Sequence, residues 1–184
     1  MVKKQVLWLT ETAAMLALLI ALQYLTSFIP KPFGQYITGS CVNTILAVTT
    51  LFCGLGSGIA VAVISPIFAY LFGIAPQILV VPVIMLGNSA FVLLLFFLCK
   101  GKHLKELAGL VIAAVGKFTI QYVLVAYGIC GLLSQNLIAS GLLKVPAMAV
   151  LTTSFGFRQL LTAIIGGSMA LLIVPLLKKA LHRN

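Results

Sequence analysis

Acidic residues are almost missing from this chain. Its 184 residues include only Glu11 and Glu106, and charged residues of both signs make up 8% of the sequence, whereas soluble domains average about 25%. Hydrophobic residues make up 62%, and the mean hydropathy is +1.22. This composition predicts an all-α integral membrane protein, because the bilayer core has no water to solvate charges or unpaired backbone groups.

Patterns for metal binding and catalysis are missing as well. The four cysteines, at positions 41, 53, 99 and 130, form no C-x-x-C pair and have no histidine cluster near them, which argues against a zinc site. His103 and His182 lie in basic segments, and no Ser/His/Asp set is found. We therefore expect no enzyme activity, no metal and no cofactor.

The net charge of +10 would suggest a nucleic-acid partner for a soluble protein. Here most basic residues flank apolar runs, where they set the membrane topology instead. No nucleic-acid partner is expected.

Apolar runs long enough to cross a bilayer recur along the chain. About 20 residues cross ~30 Å of hydrocarbon, so residues 1–184 are predicted to form one membrane domain, a bundle of six transmembrane helices. The spans are expected at about 10–29, 37–53, 57–73, 80–99, 107–129 and 155–177. The first run could instead be a signal peptide, but its apolar core continues to Ile29 without a small-x-small cleavage site.

Residues 131–153 are apolar but interrupted by several polar residues and Pro146. They are predicted to form a long outer loop with a short helix, a candidate lid.

The distribution of lysine and arginine predicts that both termini are cytoplasmic. With six spans, three basic groups fall on one side: Lys3 and Lys4; Lys100, Lys102 and Lys105; and Lys178, Lys179 and Arg183. Only Lys31 and Lys144 fall in the opposite loops, so the first side is inside by the positive-inside rule. Counting 131–153 as a seventh span would place the basic C-terminus outside, and the charge bias therefore favours six.

Polar side chains collect in the outer and middle parts of the predicted spans. They are Ser40, Asn43, Asn88, Ser89, Lys117, Gln121, Tyr122, Arg158, Gln159 and Thr162. A pore needs polar residues along the full membrane thickness, whereas a cup that opens outward needs them only in its outer half. The pattern favours an outward-facing binding cup.

Lys117 lies near the middle of a predicted span, where an ionisable residue costs roughly 3 kcal/mol and requires a partner. Lys117 and Gln121 share one helix face, as do Arg158 and Thr162, and no acidic residue is placed to neutralise the two cations. The expected ligand is a small solute with a carboxylate or phosphate group. The aromatic residues expected to sandwich it are Tyr122, Phe118, Phe155 or Phe157.

Structural roles remain open for these residues. Lys117 can snorkel or donate to a backbone carbonyl, and Arg158 can bind a lipid phosphate. Asn43, Asn88 and Gln121 can instead join helices by hydrogen bonds. Tyr122 can serve packing alone.

Three alanines, Ala13, Ala17 and Ala21, recur on one face of the first span, and small residues at this spacing let another helix approach closely. With these alanines, a length near 180 residues, six spans with both ends inside, and outer polar positions in helices four to six, the sequence resembles the substrate-binding S components of energy-coupling factor (ECF) transporters. The resemblance covers essentially the whole chain.

The resemblance implies that the protein captures a vitamin or related micronutrient in a prokaryotic cell membrane. Its pocket would be formed by helices four to six and capped by residues 30–36 and 131–153. The implied pocket residues are Asn88, Lys117, Gln121, Arg158 and Gln159. The face of Ala13, Ala17 and Ala21 would dock on a transmembrane coupling subunit driven by two cytoplasmic ATPases.

A stand-alone secondary transporter or channel for a small anionic solute is the alternative function. It requires polar residues that reach the cytoplasmic side, and the inner halves of spans four and five have no strongly polar side chain.

Overall fold

The computed structural model describes residues 2–31, 33–99 and 103–181, which form helices joined by short connections, with no strand in these ranges. The helices are α1 (Val2–Ser27), α2 (Phe33–Val48), α3 (Leu55–Leu71), α4 (Val81–Leu98), α5 (His103–Tyr122), α6 (Ser134–Ala139), α7 (Val145–Ser154) and α8 (Phe157–Ala180). π-helical segments extend α2 over Thr49–Cys53 and α5 over Val123–Leu132, and a 3-10 turn, Ile78–Val80, precedes α4.

Five helical stretches are long and apolar enough to cross a bilayer. They are Lys4–Ser27, Phe33–Cys53, Ile78–Leu98, Lys105–Leu132 and Val145–Ala180, the last of which covers α7 and α8. α3 has 17 residues and extends only about 26 Å at 1.5 Å per residue, less than the ~30 Å of hydrocarbon. The all-helical architecture is confirmed, whereas the count of six spans stays a prediction.

The orientation of the bundle also stays a prediction. Several basic residues near the ends of the spans lie outside the described residues: Lys100, Lys102, His182 and Arg183. Pro32 in the predicted lid also lies outside them.

The backbones of α2 and α8 approach closely at two glycines. A Cβ atom at Gly166 would overlap the carbonyl oxygen of Ser40 and lie 2.7 Å from Asn43 Cβ. From the other helix, a Cβ at Gly39 would lie 3.0 Å from Thr162 Cγ2. Small residues allow such crossings in membrane proteins, and this one places Asn43 opposite Thr162.

The main apolar core runs through the bundle between α1, α2, α3, α4, α5 and α8. Its fully buried members include Leu46, Val61, Phe91, Leu95 and Leu110. Polar side chains buried beside it, such as Thr50, bond to the carbonyl one turn earlier in their own helix.

Residues 131–153 differ from the predicted long loop with a short helix. The segment contains α6 and most of α7, and the turn between them includes Gly141 with a φ of 74°. Leu143 and Leu151 are buried in a second apolar cluster with Val80 and Val125. Helices form here because this apolar cluster supplies the tertiary packing that short helices need.

Candidate functional site

A cavity of about 110 Å³ lies at one end of the bundle. Its walls come from the end of α1, the start of α2, the end of α3, the first half of α4, the last part of α5 and the start of α8. We call this the cavity end, and the end that holds the first residues of α1 and the last residues of α8 the terminal end. Six of the seven residues predicted to bind substrate line the cavity: Asn43, Asn88, Lys117, Gln121, Arg158 and Gln159.

Lys117 lies in the cavity wall with only 2% of its surface exposed. Its Nζ donates a hydrogen bond to Asn43 Oδ1 at 2.6 Å and lies 5.5 Å from the centroid of the Phe91 ring. Asn43 is held by its own Nδ2, which donates to the carbonyl oxygen of Gly39 at 2.8 Å. An ammonium group has three donors, so the bond to Asn43 leaves capacity for a ligand in the cavity.

Arg158 is the second cation of the cavity and lies in the first turn of α8. Its Cζ is 5.2 Å from the centroid of the Tyr36 ring, and its Nε is buried without a hydrogen-bond partner. The two acidic residues of the chain, Glu11 and Glu106, lie in the first halves of α1 and α5, towards the terminal end. The cavity therefore combines two cationic side chains with no carboxylate.

Gln159 is partly committed to the local structure. Its Nε2 donates to the carbonyl oxygen of Ser154 at 3.3 Å, and its backbone N–H donates to the carbonyl of Gly156. These bonds tie the start of α8 to the end of α7.

Three carboxamides, which we call the amide set, form much of the remaining polar wall: Gln23, Asn88 and Gln121. Each is at most 2% exposed. Gln23 Oε1, Gln121 Oε1 and both polar atoms of Asn88 have no hydrogen-bond partner within the described parts of the chain. A buried polar group left without a partner costs about 1–3 kcal/mol, and several around one cavity are typical of a binding site.

Tyr122, the seventh predicted residue, does not line the cavity. Its ring stacks on Phe118, with centroids 5.7 Å apart, because it lies about 100° around the helix from Gln121. Phe157 is 64% exposed. Of the four aromatic residues expected to flank a ligand, only Phe155 lies in the wall.

Three buried polar residues of the wall, Gln23, Thr38 and Ser65, were not predicted from the sequence. Gln23 is an isolated amide in an apolar helix. Since each residue turns the helix by 100°, Gln23 lies roughly 120° around α1 from Ala17, the middle of the alanine face. An amide at this position indicates that this side of α1 faces a polar site. Ser65 precedes Pro66 in α3, and a single serine beside a proline does not by itself indicate a binding site.

The alanine face lies on the outside of the bundle. Ala13, Ala17 and Ala21 are all exposed. The opposite side of α1 packs inward, where Thr12 Oγ1 lies 2.7 Å from Ser57 Oγ of α3. The three alanines are thus free of contacts that would bury them within the described chain.

Comparison with protein families gives a match over most of the chain. The family model for the substrate-specific component of ECF transporters matches residues 11–178. The chain belongs to this family. Neither a curated protein nor a solved structure matched the chain.

Membership has two consequences for this substrate-specific component. It is a multi-pass membrane protein, and it binds a substrate for ECF transport. The matched range includes every residue of the cavity wall named above, so the cavity is the candidate substrate site.

Proposed function

We propose that this substrate-specific component captures a small anionic micronutrient, such as a vitamin, outside the cell and delivers it inward together with an ATP-driven ECF module. The observation that carries the proposal is Lys117, a buried cation whose one hydrogen-bonded partner, Asn43, is neutral. A buried charge requires compensation. A carboxylate or phosphate of the ligand supplies it, with Arg158 as a second cationic contact.

The size of the cavity supports a small ligand. Its volume of about 110 Å³ is of the same order as the ~150 Å³ engineered cavity that holds benzene in another protein. The substrate is therefore of single-ring size in this conformation of the protein.

The topology supports capture from outside. The cavity lies at the end of the bundle away from the termini, and the basic residues Lys4, Lys105, Lys178 and Lys179 lie in helix turns of the terminal end. The positive-inside rule places that end in the cytoplasm. In this orientation α3 completes a six-span bundle in a prokaryotic plasma membrane, and residues 30–36 and 131–153 lie on the outer side as a lid.

The exposed face of Ala13, Ala17 and Ala21 is the proposed docking surface for the transmembrane coupling subunit, on which two cytoplasmic ATPases act. A large side chain there should block close helix approach. We expect Ala17→Trp to retain substrate binding and to abolish uptake in cells that supply the module. Leu172→Trp, a change at an outward position of α8 that is 73% exposed, should affect neither; uptake by Ala17→Trp at the wild-type rate would contradict the docking surface.

The site is tested by comparing Lys117→Met with Lys105→Met, a change at an exposed lysine of the same helix that lies outside the cavity. Mass spectrometry of small molecules that co-purify with the wild type should detect an acid. Lys117→Met should lose that compound and bind it at least 100-fold more weakly, whereas Lys105→Met should match the wild type. Equal binding by both variants would overturn the assignment.

Reconstitution distinguishes the alternative function. Liposomes that contain only this chain should bind the compound without accumulating it, and accumulation should require the module and ATP. Accumulation by the chain alone would identify a stand-alone transporter or channel.

A further inference from the structure

Buried polar atoms without partners are concentrated at the cavity. Among the described residues, seven buried side-chain nitrogen and oxygen atoms have no hydrogen-bond partner, and all but Gln77 Oε1 belong to residues of the cavity wall. They come from helices α1, α3, α4, α5 and α8. Because polar groups of five separate helices converge on one space, a single ligand can pair with all of them.

The chemistry of these atoms specifies hydrogen-bonding groups of the ligand in addition to its negative charge. The amide oxygens of Gln23, Asn88 and Gln121 accept hydrogen bonds and do not donate them. A carboxylate or phosphate also only accepts, so it can pair with Lys117 or Arg158 but not with an amide oxygen. The ligand must therefore also carry N–H or O–H donors.

Asn88 shows that the ligand must offer both kinds of group side by side. Its Oδ1 and its Nδ2 both lack partners, and a carboxamide presents one acceptor and one donor group in a single plane. The complementary edge is an N–H next to a carbonyl, as in a lactam or a ureide. This reasoning holds whichever way the amide is turned, because both of its ends lack partners.

The spacing of the groups limits the size of the ligand. Lys117 and Gln121 lie one turn apart on the same face of α5, about 6 Å along the axis, and both line the cavity. Gln121 is held against α4, since a Cβ at Gly87 would overlap its Cγ and lie 2.6 Å from its Cδ and Nε2. A ring that carries its acid directly spans this distance.

Resting on the proposed function, we propose that the substrate is a single-ring nitrogen heterocycle with a lactam or ureide edge and one acidic substituent. The ring edge pairs with the amide set, and the carboxylate or phosphate pairs with Lys117. Arg158, at the start of α8, is the second cation beside the acidic group of the ligand.

Three commercially available probes separate recognition of the ring edge from recognition of the acidic group. Orotate has a ureide ring and a carboxylate, benzoate has a ring and a carboxylate without N–H donors, and uracil has the ureide ring without an acid. Calorimetry on purified wild-type protein should give an affinity for orotate at least tenfold higher than for benzoate or uracil. Benzoate binding as tightly as orotate, or no binding of any probe, would overturn the proposal.

Two glycine variants test whether the amide set recognises the ring of the ligand. Gly87→Ala forces the Gln121 side chain to move, whereas Gly116→Ala meets only the end of the Leu94 side chain, with Cδ1 2.5 Å from the new Cβ. Both variants alter the α4–α5 contact. Gly87→Ala should lower the affinity for orotate at least tenfold and leave benzoate within twofold, and Gly116→Ala should change neither by more than twofold.

If Gly87→Ala lowered the affinities for orotate and benzoate by the same factor, Gln121 would not be the residue that recognises the ring. Failure of this proposal is distinguishable from failure of the proposed function. If the acid that co-purifies with the wild type has no N–H donor, the substrate class is wrong and anion capture stands. If Lys117→Met keeps its co-purified compound, the proposed function itself is wrong.

Discussion

The two ends of the bundle treat buried polar groups differently. At the terminal end, Thr49 and Thr50 donate to the carbonyl oxygens of Ile45 and Leu46, both at 2.6 Å. At the cavity end, the carboxamides of Asn88 and Gln121 have buried atoms without partners. Burial alone therefore does not identify the site: a hydroxyl can satisfy itself within its own helix, whereas an unpaired carboxamide requires a partner from elsewhere.

The difference has an energetic meaning. The terminal end is packed for stability, since its apolar side chains fill the space between helices. The cavity end retains polar groups without partners among the described residues; these oppose folding, and we propose that ligand binding compensates for them. Substitutions at the terminal end should thus lower stability without changing binding, whereas those at the cavity end should weaken binding without lowering stability.

The largest expected effect is on stability, from Leu95→Ala. Leu95 is fully buried in the main core, about two turns along α4 from Asn88. Removing a buried leucine side chain costs about 2–5 kcal/mol, so the thermal unfolding midpoint in detergent should fall by several degrees while ligand affinity stays within twofold. Leu93→Ala, at a residue that is 40% exposed, is the control; a loss of affinity in Leu95→Ala would remove the distinction between the ends.

Asn43→Asp should produce the largest change in binding. The new carboxylate would lie beside Lys117 Nζ, where Asn43 Oδ1 now lies at 2.6 Å, and would compete with the ligand anion. Two charges about 4 Å apart interact by roughly 4 kcal/mol at an effective dielectric constant of 20, so affinity should fall at least 100-fold without loss of thermal stability.

Gln5→Glu adds the same charge at an exposed position of α1 at the terminal end and should leave affinity unchanged. If Asn43→Asp binds the ligand as the wild type does, Lys117 does not hold an anion.

The helical architecture and several polar residues of the cavity wall could be predicted from the sequence because they depend on local patterns. Apolar runs identify the long helices, and the i, i+4 spacing identifies Lys117 with Gln121 and Arg158 with Thr162, all four of which line the cavity. Tyr122, also predicted to bind substrate, does not line the cavity, because it lies about 100° around the helix from Gln121.

The remaining features depend on contacts between distant segments. Asn43 is the partner of Lys117 because α2 and α5 come together in the bundle, and no local pattern encodes this contact. The contributions of Gln23 and Ser65 to the cavity likewise depend on how α1 and α3 are turned. The helices of 131–153 form against Val80 and Val125, and this packing is visible only in three dimensions.

The smallest expected effect on stability, and the one of opposite sign, comes from Asn88→Leu. Asn88 is 1% exposed, and neither of its polar side-chain atoms has a partner among the described residues. Leucine has the same number and branching of side-chain heavy atoms and removes this unpaired carboxamide. Replacing such a group should stabilise the protein by up to about 1 kcal/mol, which raises the unfolding midpoint by roughly 2–4 °C for a chain of this size. The same change should weaken ligand binding at least tenfold.

Gln5→Leu is the control for Asn88→Leu, because it also replaces a carboxamide by leucine, at an exposed residue of the terminal end, and should leave both the unfolding midpoint and the affinity unchanged. Thermal unfolding and calorimetry on one protein preparation measure both quantities. A destabilised Asn88→Leu with unchanged affinity would mean that Asn88 joins helices, as the alternative from the sequence allows. A stabilised variant with weakened binding would show that the cavity end sacrifices stability for recognition.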